Sequence, residues 1–246
     1  MLDPEILAIL LVFLLAGAVK GVIGLGLPTI AVGLLSLAMT PAEAAAILIV
    51  PSIVTNLWQL FAGPSFAALA LRLWPMMLGV CVGTWLGSGF LTGADTKISA
   101  SALGIALVIY SIVGLTPLKL RVPTPHERWL GPPVGIATGV VTAATGVFVL
   151  PAVPYLQALG LDKDDLVQAL GLSFTVSTFA LALSLFHEGA FGTSDATASL
   201  FAVLPALGGM WLGQIVRARV SAQVFRRYFF LGLLALGLHL ASRTFL

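Results

Sequence analysis

Apolar residues fill the chain in blocks of about 20 or more, separated by short Gly, Pro and charged clusters. Such a block is long enough to cross a bilayer as a helix. The first apolar region runs from about Ile6 to Met39, yet it contains Gly17, Lys20, Gly21, Gly24, Gly26 and Pro28. Glycine and proline weaken a helix by roughly 1 and 3 kcal/mol relative to alanine, so an interruption is expected here. Thr40-Pro41-Ala42-Glu43 reads as a helix start: an N-cap, proline in the first position, then acid in the first turn. A span to about Phe61 follows, ended by Gly63-Pro64; further spans are expected over Arg72–Leu91 and Ile98–Leu115.

The second half repeats this order. Gly131 to Gly160 is an interrupted region, Asp162-Lys163-Asp164-Asp165 a turn, and Leu166–Phe186, Thr197–Val216 and Ser221–Leu240 are spans. Gly17 and Gly21 match Gly135 and Gly139 in spacing, and Gly83-Thr84-Trp85-Leu86-Gly87 matches Gly209-Met210-Trp211-Leu212-Gly213. The expected fold is therefore all-α and polytopic, with two repeats, each an interrupted helical hairpin plus three spanning helices. The repeats are residues 1–118 and 131–246, joined by a cytoplasmic linker at 119–130.

Composition agrees with a multi-pass membrane protein. Of 246 residues, 59% are hydrophobic and 9% charged, against about 25% charged in soluble domains. The acidic start, Met1-Leu2-Asp3-Pro4-Glu5, lacks the basic region of a signal peptide. A net charge of +2 points to no nucleic-acid partner. The single Cys81 excludes an internal disulfide and reads as a packing residue. Trp58, Trp74 and Trp129 are expected at the membrane interfaces, and Trp85 and Trp211 in packing.

The basic residues choose between topologies. If each interrupted region returns to the side it entered from, Arg72, Lys119, Arg121, Arg128, Lys163, Arg217, Arg219, Arg226 and Arg227 share one face, and only Lys97 and Arg243 take the other. A single crossing by each region splits them nearly evenly. Cytoplasmic loops carry excess Lys and Arg, so the first arrangement is preferred. It puts the N-terminus outside the inner (plasma) membrane and inverts one half relative to the other. Paired, interrupted segments at corresponding places in two halves point to a transporter's binding site near the midplane.

The candidate site is built on those breaks. Lys20 lies roughly 22 Å along a helix that enters near Glu5, and a charge at that depth usually lines a cavity. Gly21, Gly24 and Gly26 are expected to expose backbone N–H groups, which bind oxyanions at helix starts. Thr142, Thr145 and Gly146 offer donors from the second break. Asn56 and Gln59, three apart, share a helix face, with Ser52 and Thr55 at similar depth. Ser173 and Ser177, four apart, contribute from the second half, where Gln168, Thr175 and Thr178 are further polar groups. No Asp or Glu falls in the middle of a span, Glu43 and Glu188 sitting at ends, and there is no Cys/His cluster. That argues against a carboxylate proton relay, a metal, or a cation substrate. No cofactor is implied. Small-residue faces such as Gly79, Gly83 and Gly87 would allow packing within the chain or in a homodimer.

Lys20-Gly21-x-x-Gly24-x-Gly26-x-Pro28 and Thr145-Gly146-Val147-Phe148-Val149-Leu150-Pro151, set in the duplicated plan, resemble the sulfite exporter TauE/SafE family (toluene sulfonate uptake permeases). The second half keeps only Gly146 of the family's glycine run. The resemblance implies an alternating-access transporter with a midplane site, expected to act as an exporter of sulfite, a sulfonate or a related small organic anion, and no enzymatic activity. Two alternatives are carried with it: a carboxylate or other small-anion permease, and an intramembrane serine hydrolase. The latter would use Gly171-Leu172-Ser173 and His239, although Thr175 stands where a Gly-x-Ser-x-Gly motif has its second glycine.

Overall fold

The computed structural model describes residues 4–93, 95–116 and 120–243. Its helices are α1 (Pro4–Ile23), α2 (Leu27–Leu35), α3 (Pro41–Phe61), α4 (Phe66–Leu86), α5 (Phe90–Gly93), α6 (Thr96–Leu115), α7 (Thr124–Thr145), α8 (Ala152–Ala158), α9 (Lys163–His187), α10 (Thr193–Arg217) and α11 (Ala222–Ser242). Among the described residues, seven helical segments are long and apolar enough to cross a membrane. The chain is an all-helical, multi-pass membrane protein.

Both interrupted regions are present, and each pairs a long helix with a short one. Helix α1 has 20 residues and α2 has 9; α7 has 22 and α8 has 7. The first break is confined to Gly24-Leu25-Gly26, where Gly24 and Gly26 adopt φ of 77° and 107°, a region glycine enters without steric penalty. Gly17 and Gly21, expected to disrupt the helix, lie inside it. The second break follows Gly146, at φ 70°. Helix α7 also begins earlier than expected, taking in Thr124–Leu130 from the supposed linker. Pro125 sits in its first turn, where proline's missing N–H has no intrahelical partner to lose. Lys119 lies outside the described residues.

Glycines set the packing. A Cβ on Gly17 or Gly21 of α1 would fall 2.1 or 2.2 Å from the carbonyl oxygens of Ala206 or Met210 on α10. Reciprocally, one on Gly209 or Gly213 would fall 2.0 or 2.1 Å from those of Leu14 or Ala18. Helices α4 and α7 repeat the arrangement: Gly135 and Gly139 lie against Met76 and Val80, and Gly79 and Gly83 against Pro132 and Ile136. Small residues let backbones approach this closely in lipid. In these contacts Gly17 and Gly21 take the same part on α1 that Gly135 and Gly139 take on α7. The contacts also correct the second match: Gly209 and Gly213 correspond to Gly79 and Gly83, one helical turn before the Gly83–Gly87 pair. The Gly79–Gly83 face is used within the chain.

Contact register also gives the helix directions. Gly17 and Gly21 meet Ala206 and Met210 in ascending order, so α1 and α10 run parallel; the same holds for α4 and α7. Gly171 lies on Gln59 and Leu60 while Asn56 bonds Thr178, so α3 and α9 are antiparallel. Gly104 lies on Gly237 and Ala241 while Gly114 lies on Phe230, so α6 and α11 are antiparallel as well.

Trp58, Trp74, Trp85, Trp129 and Trp211 are all exposed on the bundle. Trp85 and Trp211 therefore face outward, against the packing role expected of them. Cys81 is exposed too, because α4 turns its glycine face, not its cysteine, to α7.

Candidate functional site

The polar centre forms where α3 and α9 cross beside the end of α1. Asn56 and Thr178 each lie roughly 22 Å along their antiparallel helices, so their contact falls near mid-bundle. Lys20, in the last turn of α1, is 4% exposed. Its Nζ donates to Thr55 Oγ1 at 3.0 Å and to Asn56 Oδ1. Asn56 Nδ2 donates in turn to Thr178 Oγ1 at 3.2 Å, and Thr178 donates to the Phe174 carbonyl. One hydrogen-bonded line thus joins α1, α3 and α9, and with them both halves of the chain. It also fixes which way the Asn56 amide points.

Gln59, one turn on from Thr55 and Asn56, donates from Nε2 to the Gly24 carbonyl at 3.0 Å. This bond ties α3 to the first break. The Gly24 N–H is already used, donating to the Lys20 carbonyl. Gly26 is the N-cap of α2, with no side chain capping that end. Ser52 Oγ, Gln59 Oε1, Ser173 Oγ and Ser177 Oγ are buried without a hydrogen-bond partner. Buried polar atoms are mostly paired; Ser36 Oγ, Ser99 Oγ and Tyr110 Oη are likewise unpaired.

Several expected contributors have other work. Gly21 is helical and packed on α10, so it exposes no N–H from a helix start. Thr142 and Thr145 donate to the carbonyls of Thr138 and Val141, and Thr145 Oγ1 also accepts from the Val147 N–H. Their protons are committed to the helix, the usual habit of threonine in an apolar helix. Gly146 donates its N–H to Thr142 and presses on Ala45 of α3. The second break is thus a structural junction, while the first borders the polar centre. Thr55 and Thr178 belong to the network although they were outside the expected shell; their polarity within apolar spans was the available signal.

Two neighbouring cavities with shared lining residues lie beside this centre. The smaller, about 170 Å³, is lined by Lys20, Gly24, Gln59, Gln214 and Arg217 among others. The larger, about 440 Å³, shares Gly24, Val167 and Arg217 with it and adds Lys163 and Arg226. Lys163, Arg217 and Arg226 are exposed, so three cations surround the approach. No local pattern marks this vestibule, because its charges come from the ends of α9, α10 and α11.

Ser173 Oγ has no hydrogen-bond partner and His239 is exposed on α11, so these two residues form no hydrogen-bonded pair. Arg72 and Glu127 form an ion pair at 2.7 Å. It links α4 to α7 away from Lys20. No group of three or more His, Cys, Asp or Glu suited to a metal occurs among the described residues.

No curated protein and no solved structure matches the chain. The protein-family model described as Sulfite exporter TauE/SafE matches residues 9–240. With that match running through both halves and the polar centre between them, the chain belongs to the sulfite exporter TauE/SafE family.

Proposed function

We propose that this protein transports a small sulfur oxyanion, sulfite or a sulfonate, by alternating access around the Lys20 centre. The observation that carries the reading is a buried lysine hydrogen-bonded to neutral Thr55 and Asn56, with no carboxylate among its partners. A buried charge is costly unless paired, and an anion arriving through the cationic vestibule would complete the pair. Potential focused by such a cleft raises the local concentration of anions. Lys20 supplies charge; Asn56 and Thr178 hold its position; Gln59, Gly24 and Gly26 shape the adjoining wall; Ser173 and Ser177 add hydroxyls from the second half.

Residues 1–118 and 131–246 act as inverted repeats. The antiparallel packing of α3 on α9 and of α6 on α11, each pair equivalent by order in its half, supports this. The vestibule cations Lys163, Arg217 and Arg226 belong to the basic face, which the positive-inside tendency assigns to the cytoplasm. Export from the cytoplasm follows from the membrane potential: a monoanion gains about 2.3 kcal/mol per 100 mV, equivalent to roughly a 50-fold gradient. Tags at the N-terminus and in the segment before α7 should report opposite sides of the inner membrane; labelling of both from one side would refute the inverted arrangement. Transport itself is tested by sulfite and sulfonate flux from proteoliposomes, which should exceed that of empty vesicles and depend on Lys20.

A further inference from the structure

Lys20 and Gln59 line one small cavity but make opposite demands on whatever occupies it. An ammonium group carries three donors and no acceptor. Two of those of Lys20 are taken by Thr55 and Asn56, leaving one N–H for a ligand oxygen. Gln59 is 6% exposed; its Nε2 is held by the Gly24 carbonyl, and its Oε1 has no partner. The Nε2 bond excludes a flipped amide, since a flip would set two carbonyl oxygens against each other. Oε1 is therefore a buried acceptor in need of a donor. Leaving such an atom unpaired is penalised more heavily than forming the bond is rewarded.

We infer that the site selects a monoanion that keeps one hydroxyl proton, such as a hydroxylated sulfonate or a hydrogen-sulfite-type ion, with an oxygen on Lys20 and the O–H on Gln59 Oε1. This rests on the anion-transport reading above and specifies its substrate. A fully deprotonated dianion offers Gln59 only acceptors. An aminosulfonate offers a donor, but its ammonium group would meet Lys20 and Arg217, two like charges lining the same cavity. Size agrees as well. The cavity of about 170 Å³ compares with about 30 Å³ for one water in the liquid, enough for a compact anion.

Isethionate and ethanesulfonate form a matched pair, differing by a terminal hydroxyl. Equilibrium binding of each to purified wild-type protein should favour isethionate by roughly fivefold or more. Gln59→Met removes the acceptor while keeping an unbranched chain, and should bring the two affinities together, chiefly by weakening isethionate. Equal affinity of the wild type for both anions would overturn the inference, because a bound water would then be satisfying Oε1, and would leave the anion reading intact. A preference that survives in Gln59→Met would overturn it too, by moving the hydroxyl's partner elsewhere. Absence of binding by either anion, and by sulfite, would remove the anion reading and this inference with it.

Discussion

Lys20→Met is expected to cut anion flux at least tenfold at subsaturating anion while leaving the protein at least as stable as the wild type. Hydrogen bonds to charged groups contribute about 1.5–3 kcal/mol, so loss of the ammonium group should weaken anion binding by roughly 10- to 150-fold. Stability should move the other way. The substitution leaves Asn56 Oδ1 without its donor, but it also removes an ammonium group that is 4% exposed and has no carboxylate partner. Replacing buried ionic groups by apolar residues of similar volume is often neutral or stabilising. Flux in proteoliposomes and thermal unfolding in detergent measure the two effects separately. A purely structural role for Lys20 would lower both together.

Gly83→Val is expected to unfold the bundle or leave it severely destabilised. A Cβ at Gly83 would meet the Ile136 carbonyl oxygen at 2.1 Å, and a helix backbone has no rotamer with which to yield. Helices α4 and α7 would have to separate, and with them the reciprocal contacts of Gly79, Gly135 and Gly139. Overpacking of a core costs about 1–3 kcal/mol, occasionally more. A backbone collision in the middle of a long interface belongs at or beyond the upper end. Gly208→Ala is the control. It also lies within a helix, but a Cβ there meets nothing within 4 Å, and alanine improves helix propensity by about 1 kcal/mol. Unfolding midpoints should fall steeply for Gly83→Val and hold or rise for Gly208→Ala. Equal midpoints would show that the glycine faces do not set the helix spacing.

The order of the long helices was legible because apolar run length and Gly/Pro punctuation are local properties. So was the place of Lys20 far along α1, which follows from helical rise alone. The role of the glycines was less legible. Gly17 and Gly21 look like helix breakers in isolation, yet the same absence of a side chain lets α10 approach, and that packing keeps α1 helical. The Gly-x-Trp-Leu-Gly match was one turn out because it compared residue strings, whereas the interfaces pair glycines four apart with a neighbour's carbonyls. Thr142 and Thr145 look like free donors in the sequence, but within an apolar helix the carbonyl one turn back takes their protons. The cationic vestibule could not be read locally, because Lys163, Arg217 and Arg226 converge only when three helix ends do.

Transport as proposed depends on an anion seated against Lys20. Crystals grown with hydrogen selenite, whose selenium scatters anomalously, test that seat directly. The predicted result is a selenium peak in the cavity lined by Lys20, Gly24 and Gln59, absent in Lys20→Met crystals grown alike. Selenium found only among Lys163, Arg217 and Arg226, or a central peak that persists without the lysine, would contradict it.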